Sequence, residues 1–221
     1  MSAVELSPPD AIPPIITSFD RFRTNNAQLM RDVATLGYLN LEHDRVLDCT
    51  YKLGRFWKLV RPKRLVATDL DARYSELGSV DFRQLPFDDD TFDVAVIDGP
   101  YKLNGKSKGT GPAASDADYG VAEPATWWER HALIKLGIRE CVRVTKPGGR
   151  VMIKCQDQVC LTKVRWQTIE FTRTATTAGC DLEDALHVFG SRKQPRDGTP
   201  QQSQDHARRN YSTLLICRKG K

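Results

Sequence analysis

Asp98-Gly99-Pro100-Tyr101 is the segment of this chain best equipped for chemistry. It follows Phe92-Asp93-Val94-Ala95-Val96-Ile97, an apolar run that reads as a buried strand. An acid, a small residue, a proline and an aromatic ring therefore meet at the carboxyl edge of a strand, where open α/β sheets bind ligands. A conjugated amine is a poor nucleophile because its lone pair is delocalised into the ring. A carboxylate accepting one N–H and a backbone carbonyl accepting the other draw such a nitrogen towards a tetrahedral geometry. Asp98 and the Gly99 carbonyl are placed to do so, Tyr101 offers a face for stacking, and Pro100 fixes the turn.

Acids recur at the same predicted edge. Asp48 sits in Arg45-Val46-Leu47-Asp48-Cys49-Thr50, a first strand, with Thr50 beside it. Gly54 lies in the turn that follows, where a backbone can approach a ligand closely. Asp69 ends Arg64-Leu65-Val66-Ala67-Thr68-Asp69, the position from which a carboxylate takes the ribose hydroxyls of a nucleotide-like ligand. Asp81 belongs to a short third strand, Val80-Asp81-Phe82, and with Phe82 could hydrogen-bond and flank an adenine. A single strand-end acid is as often a helix cap or a solvated turn. Four in register, on consecutive strands, point to a ligand.

The elements that must position these groups follow from periodicity and punctuation. Residues 5 to 17 are proline-rich and give an extended arm (1–17), leaving 18–221 as one domain. Residues 18 to 39 read as a helix with Phe22, Leu29, Val33 and Leu36 roughly on one face, and Gly54 opens another carrying Phe56, Trp57 and Leu59. Thr126-Trp127-Trp128-Glu129 has the spacing of a capping box and starts a helix to about Val144, with Leu133, Leu136 and Ile138 facing a sheet. Pro147-Gly148-Gly149 is a tight turn into the strand Arg150-Val151-Met152-Ile153-Lys154-Cys155. A helix from Trp166 to Ala178 stops at Gly179. Asp184–Phe189 and Tyr211–Ile216 are the last strands, bringing the total to seven. The alternation predicts an α/β fold, a doubly wound and mainly parallel seven-stranded sheet with helices on both faces. Residues 102–125 and 190–210 read as loops facing a substrate.

Composition narrows the class. At 221 residues, 40% hydrophobic and 28% charged, the chain suits one soluble domain with a sizeable core. It has no run of 18 apolar residues, so no membrane helix, and its first residues lack a secretory pattern, so a cytoplasmic location is expected. Cys49, Cys141, Cys155, Cys160, Cys180 and Cys217 form no C-x-x-C pair and read as buried free thiols. His43, His131, His187 and His206 show no metal spacing, and no metal site is expected. The net charge is +5, and the segment after His187 is rich in arginine and lysine. Arg192, Lys193, Arg196, Arg208 and Arg209, with Lys102, Lys106 and Lys108, are the candidates for holding a polyanion. Gly105-Lys106-Ser107 is not a phosphate loop, because proline occupies the position where that motif needs its first glycine. Trp127 and Trp128 could stack on bases, but packing at a helix start is the better reading, and Trp57 and Trp166 read as core.

From Asp44 onwards these motifs resemble the Rossmann-type S-adenosylmethionine-dependent methyltransferases, and more narrowly the DNA methylases acting on N4 of cytosine or N6 of adenine. Val46-Leu47-Asp48-Cys49-Thr50-Tyr51 is similar to the family's first cofactor strand, and Ala67-Thr68-Asp69 to its ribose-binding strand. Asp81-Phe82-Arg83-Gln84-Leu85-Pro86-Phe87 is similar to the stretch that begins at the adenine-contacting acid. Asp98-Gly99-Pro100-Tyr101 resembles the catalytic Asp-Pro-Pro-Tyr, and Val144–Arg150 the turn before the fifth strand. Lys154-Cys155-Gln156-Asp157-Gln158 and His206–Ser212 are similar to segments of small phage and actinobacterial DNA methylases. The resemblance implies the class I methyltransferase fold with an antiparallel last strand. It implies S-adenosyl-L-methionine as cofactor, held by Asp48, Thr50, Gly54, Asp69, Asp81, Phe82 and Asp98. It implies methylation of an amino group of a DNA base, with Asp98, Gly99, Pro100 and Tyr101 carrying the reaction. Two positions depart from the pattern: Lys52 replaces the first glycine of a Gly-x-Gly loop, and Gly99 replaces proline. Lysine resists the positive φ that glycine tolerates. RNA base methylation, for instance at N2 of guanine, is one alternative. A nucleic-acid-binding protein of the same fold without turnover is the other.

Overall fold

The computed structural model describes residues 24–103, 126–160, 163–190, 206–207 and 209–221. The proline-rich arm, residues 18–23 of the expected first helix and most of both substrate-facing loops lie outside the described residues, as do Lys106, Lys108, Arg192, Lys193, Arg196 and Arg208.

Apolar runs rich in valine and isoleucine make the sheet. β1 (Arg45–Asp48), β2 (Arg64–Ala67), β3 (Phe92–Ile97) and β4 (Thr145–Cys155) run parallel, and β8 (Tyr211–Lys219) lies antiparallel between β4 and β7 (Cys180–Phe189). The order is β2-β1-β3-β4-β8-β7. A separate hairpin of β5 (Gln158–Cys160) and β6 (Lys163–Arg165) follows β4; it has no counterpart in the sequence-based expectation.

Alternation along the strands sorts side chains onto two faces. Leu47, Ala95, Ile97, Val151, Ile153, Leu215 and Cys217 point towards α2 (Trp127–Val144) and α3 (Gln167–Thr177). Val46, Val94, Val96, Met152, Leu214 and Ile216 point towards α1 (Asn26–Thr35) and a short 3-10 turn, Arg55–Trp57. Both faces of the central strands are thus covered, as a parallel sheet requires. All six cysteines are buried free thiols. No described helix is long and apolar enough to cross a membrane.

Several boundaries differ from expectation. Val80-Asp81-Phe82 is not a strand; the only pairing there is a single bridge between Asp69 and Ser79. Val80 and Phe82 instead turn under α2 into the core, which the alternate spacing of two apolar residues could not distinguish from a strand. The helix expected after Gly54 is one 3-10 turn that buries Phe56 and Trp57, whereas Leu59 is exposed. The Pro147-Gly148-Gly149 turn interrupts β4, so that Thr145 pairs with Phe92 but Arg150 pairs with Val94. On α2 the capping box forms, with the Glu129 carboxylate accepting the Thr126 N–H at 2.7 Å. Ile134 and Ile138 face the sheet there, whereas Leu136 is exposed.

Phe82 lies directly over Gly137 of α2. A β-carbon at position 137 would overlap the Phe82 ring and come within 2.7 Å of Ile97 Cδ1. Gly137→Ala is therefore expected to destabilise the protein by about 1–3 kcal/mol, since overpacking exceeds the helix-propensity gain of about 1 kcal/mol. Urea unfolding checks this; an unchanged or higher midpoint would show that α2 can shift away from the sheet.

Candidate active site

Asp98 immediately follows β3 and is joined to the end of β1 through one hydroxyl. The Asp98 N–H donates to Thr50 Oγ1 at 2.8 Å. Asp48 Oδ1 accepts the Thr50 N–H at 3.1 Å, and its Oδ2 accepts the Trp57 Nε1–H at 2.7 Å. Asp48 is 3% exposed. Burial pushes its carboxyl up to about 7, against the pull of the Trp57 and Thr50 hydrogen bonds, with the charges of Asp98 and Asp69 adding to the rise.

Asp98 is the candidate chemical centre of this edge. Its Oδ2 accepts from Asn26 Nδ2 at 3.4 Å, while Oδ1 is buried with no hydrogen-bond partner among the described residues. Burial raises its pKa, and the positive charges of Lys154, Lys102 and Arg55, with the Asn26 hydrogen bond, oppose that rise. The Gly99 carbonyl accepts the Tyr101 N–H at 2.7 Å across Pro100, a three-residue turn. One lone pair of that carbonyl is thereby used and one remains. A β-carbon at position 99 would sit 3.3 Å from Ile134 Cγ1, so a side chain there would need Ile134 of α2 to give by a few tenths of an ångström. The Tyr101 carbonyl accepts from Gln158 Nε2 at 2.7 Å and from Gln167 Nε2 at 2.6 Å. Those two glutamines, one from β5 and one from α3, hold the motif in place; sequence reasoning missed them because nothing local marks a glutamine as a backbone clamp.

The remaining predicted ligands divide. Asp69 is 6% exposed and its carboxylate accepts the N–H groups of Lys52 at 2.8 Å and Asp71 at 2.9 Å. Lys52 does adopt positive φ, at 43°, and the hydrogen bond to Asp69 offsets the strain. Gly54 sits at φ 58° beneath the Tyr51 ring. Asp81 is held by the Arg83 guanidinium, which lowers its pKa. Phe82, expected beside an adenine, is instead buried against Gly137 and is only 7% exposed.

A cleft of about 900 Å³ opens beside the motif. Tyr101, Lys102, Phe189 and Tyr211 line it, together with Asn26, Arg55 and Lys58. Lys102, a candidate for holding a polyanion, is at the cleft, while Arg55 and Lys58 are cations that sequence reasoning passed over as parts of a helix. Arg209 lies nearby: its carbonyl accepts from Gln156 Nε2 at 3.4 Å, and its guanidinium stacks 4.5 Å over Trp166, a residue expected in the core and found 42% exposed. Trp127 carries Arg165 over its ring at 3.9 Å and Trp128 is exposed. Among the described residues no cluster of three or more histidine, cysteine or acidic groups could hold a metal ion.

No family model matches the chain, and no curated protein matches it. Solved structures do. A candidate methyltransferase from Bacillus halodurans superposes with a TM-score of 0.50 at 15% identity, over 87% of this chain and 99% of that one. The chain has the class I methyltransferase fold. The [4+2]-cyclase SpnF matches it equally well, with a TM-score of 0.50 at 16% identity over 87% of this chain and 80% of its own. A candidate DNA modification methylase from Thermus thermophilus matches with a TM-score of 0.43 at 17% identity, over 64% of this chain and 51% of its own. This chain thus spans about half the length of that protein. The methyltransferase fold carries more than one chemistry among these structures, so the reaction must be read from the site.

Asp48 gives the site a pH signature. Its carboxyl ionises at 3.8 ordinarily and near 7 in the fold, so the folded state holds the proton longer and stability falls as pH rises between those values. Trp57→Phe removes the donor to the charged form. It is expected to cost about 1.5–3 kcal/mol at pH 8 but only about 1 kcal/mol at pH 5. Equal losses at both pH values in denaturant titrations would show that Asp48 does not change charge in this window.

Proposed function

We propose that this chain is an S-adenosylmethionine-dependent methyltransferase acting on an exocyclic amino group of a nucleic-acid base, DNA before RNA, at N6 of adenine or N4 of cytosine. The observation that carries the reading is Asp98: a carboxylate at the end of a central strand, with one buried oxygen lacking a partner among the described residues, beside a cationic cleft that Tyr101 lines.

The cofactor side has donors and acceptors of suitable kind. Asp48, Asp69 and Asp81 lie towards the carboxyl ends of β1 and β2 and in the segment beyond, and each carboxylate oxygen keeps acceptor capacity after its internal hydrogen bonds. The Thr68 hydroxyl next to Asp69 is buried with no partner among the described residues. These groups suit a ligand with ribose hydroxyls and an ammonium. When bound, S-adenosylmethionine supplies an electrophilic methyl group.

The chain's own part is to hold and orient the amine. Asp98 Oδ1 accepts one amino N–H, the free lone pair of the Gly99 carbonyl accepts the second, and Tyr101 stacks on the base. Asp98 then takes the proton that the alkylated nitrogen must lose. Positioning of this sort supplies several kcal/mol of a barrier. A base drawn from a duplex has to flip out first, at a cost of a few kcal/mol. Lys102, Arg55 and Lys58 provide charge for the phosphates around it.

The first test is transfer of labelled methyl to DNA and to total RNA, with nucleoside analysis of the product. N6-methyladenine or N4-methylcytosine is the expected product; label in RNA alone would move the substrate to the alternative class. Label in neither, together with no cofactor binding by calorimetry, would favour a binding protein, a reading to which the internal engagement of Asp48 and Asp69 lends some weight. Asp98→Ala is expected to lower turnover at least about a hundredfold while the circular dichroism spectrum is kept. The double change Arg55→Ala and Lys58→Ala is expected to weaken polynucleotide binding and reduce the logarithmic salt slope by about two. An unchanged slope would remove the cleft from the binding path.

A further inference from the structure

Among the described residues Lys154 is the one lysine in the set of largest fully buried side chains, at 1% exposure in the middle of the sheet. Ile97 of β3 pairs with Ile153 of β4, so Asp98 and Lys154 follow as neighbours, and the pleat sends both towards α1. Lys154 Nζ donates to Asn26 Oδ1 at 2.6 Å, and Asn26 Nδ2 donates to Asp98 Oδ2 at 3.4 Å. The Phe56 ring lies 5.8 Å from the ammonium on the same side.

A buried ammonium is costly unless charge and hydrogen bonds balance it. Asn26 is the first residue of α1, and a helix N-terminus repels a cation, so α1 does not explain the lysine. The carboxylate beside it does. We propose that Asn26 and Lys154 are positioning residues for Asp98: the Asn26 amide fixes Oδ2, the Lys154 ammonium balances its charge, and Oδ1 is left directed at the substrate amine. This rests on the methyltransferase reading for the role of Oδ1, but the charge balance does not.

Other charged and titratable groups act on the same carboxylate. Asp48 approaches from β1, Arg55 from the 3-10 turn and Lys102 from beyond the motif, while Lys154 and Cys155 come from β4. Burial lowers the Lys154 pKa and raises that of Asp98, and each charge opposes the shift of the other. Arg55 and Lys102 line the open cleft, so Lys154 is the cation of this group that solvent screens least.

The test is a carboxyl-carbon NMR titration of protein labelled at aspartate, with Asp98→Asn to assign the signal, in the wild type and in Lys154→Met, Lys154→Arg and Asn26→Ala. Removing the cation should raise the Asp98 midpoint by about one pH unit, and arginine should restore most of it. Loss of Asn26 should give a smaller rise. The methyl-transfer pH profile is measured in parallel. Its acid limb should move to higher pH in Lys154→Met, with kcat down about tenfold at low pH and KM little changed. A folded Lys154→Met with the wild-type Asp98 midpoint overturns the proposal whether or not the wild type turns over. Absence of turnover in the wild type, with the midpoint shift present, sinks the methyltransferase reading and leaves the charge pairing standing. If Lys154→Met does not fold, an unmoved Asp98 midpoint in Asn26→Ala overturns the proposal.

Discussion

A carboxylate at the end of a strand buried on both faces needs partners for its charge, and several elements of this protein supply them. β3 runs through the middle of the sheet with Val94 and Val96 packed on one side and Ala95 and Ile97 on the other. Such a strand delivers Asp98 to the sheet edge already partly desolvated, which favours the neutral acid. The opposing interactions come from several elements: a backbone tie to Thr50, the Asn26 amide, the buried Lys154 and the cleft cations Arg55 and Lys102. None is close to Asp98 in sequence except Lys102. The site is a property of the assembled sheet and of nothing smaller.

The same economy governs the cofactor side. Asp48 holds the Thr50 turn and the Trp57 indole, and Asp69 holds the Lys52 and Asp71 backbone, so each acid shapes the loop beside it. A lysine at positive φ is tolerable there because its N–H closes onto a buried carboxylate. The loop that departs from the Gly-x-Gly pattern is therefore accommodated by a strand-end acid, and the acids are both structural supports and ligand candidates. The clamp of Gln158 and Gln167 on the Tyr101 carbonyl plays the matching part for the turn after β3. It also explains why the short β5–β6 hairpin stands just beyond β4, since it brings one of the two amides to the motif.

Much of the architecture was legible from the chain. β1, β2 and β3 read as apolar runs ending in or next to acids, and the capping box marked the start of α2. Asp98-Gly99-Pro100-Tyr101 stood out because acid, turn and ring are contiguous there. Val80-Asp81-Phe82 misled because two apolar residues at alternate positions fit a strand or a turn into the core equally well, and Phe82 chose the core where Gly137 leaves room. Leu136 misled because several apolar residues compete for one helical face, and Ile134 and Ile138 took it.

By itself the sequence determined which residues could react and on which edge of an alternating α/β sheet they would lie. Those are local matters: strand periodicity, turn chemistry and the order of motifs along the chain. Only the tertiary structure decided what surrounds the Asp98 carboxylate. Asn26 and Lys154 are 128 residues apart and meet at Asp98 through strand register and helix packing. Register and packing are collective outcomes of burying the whole sheet, so no window of sequence contains them.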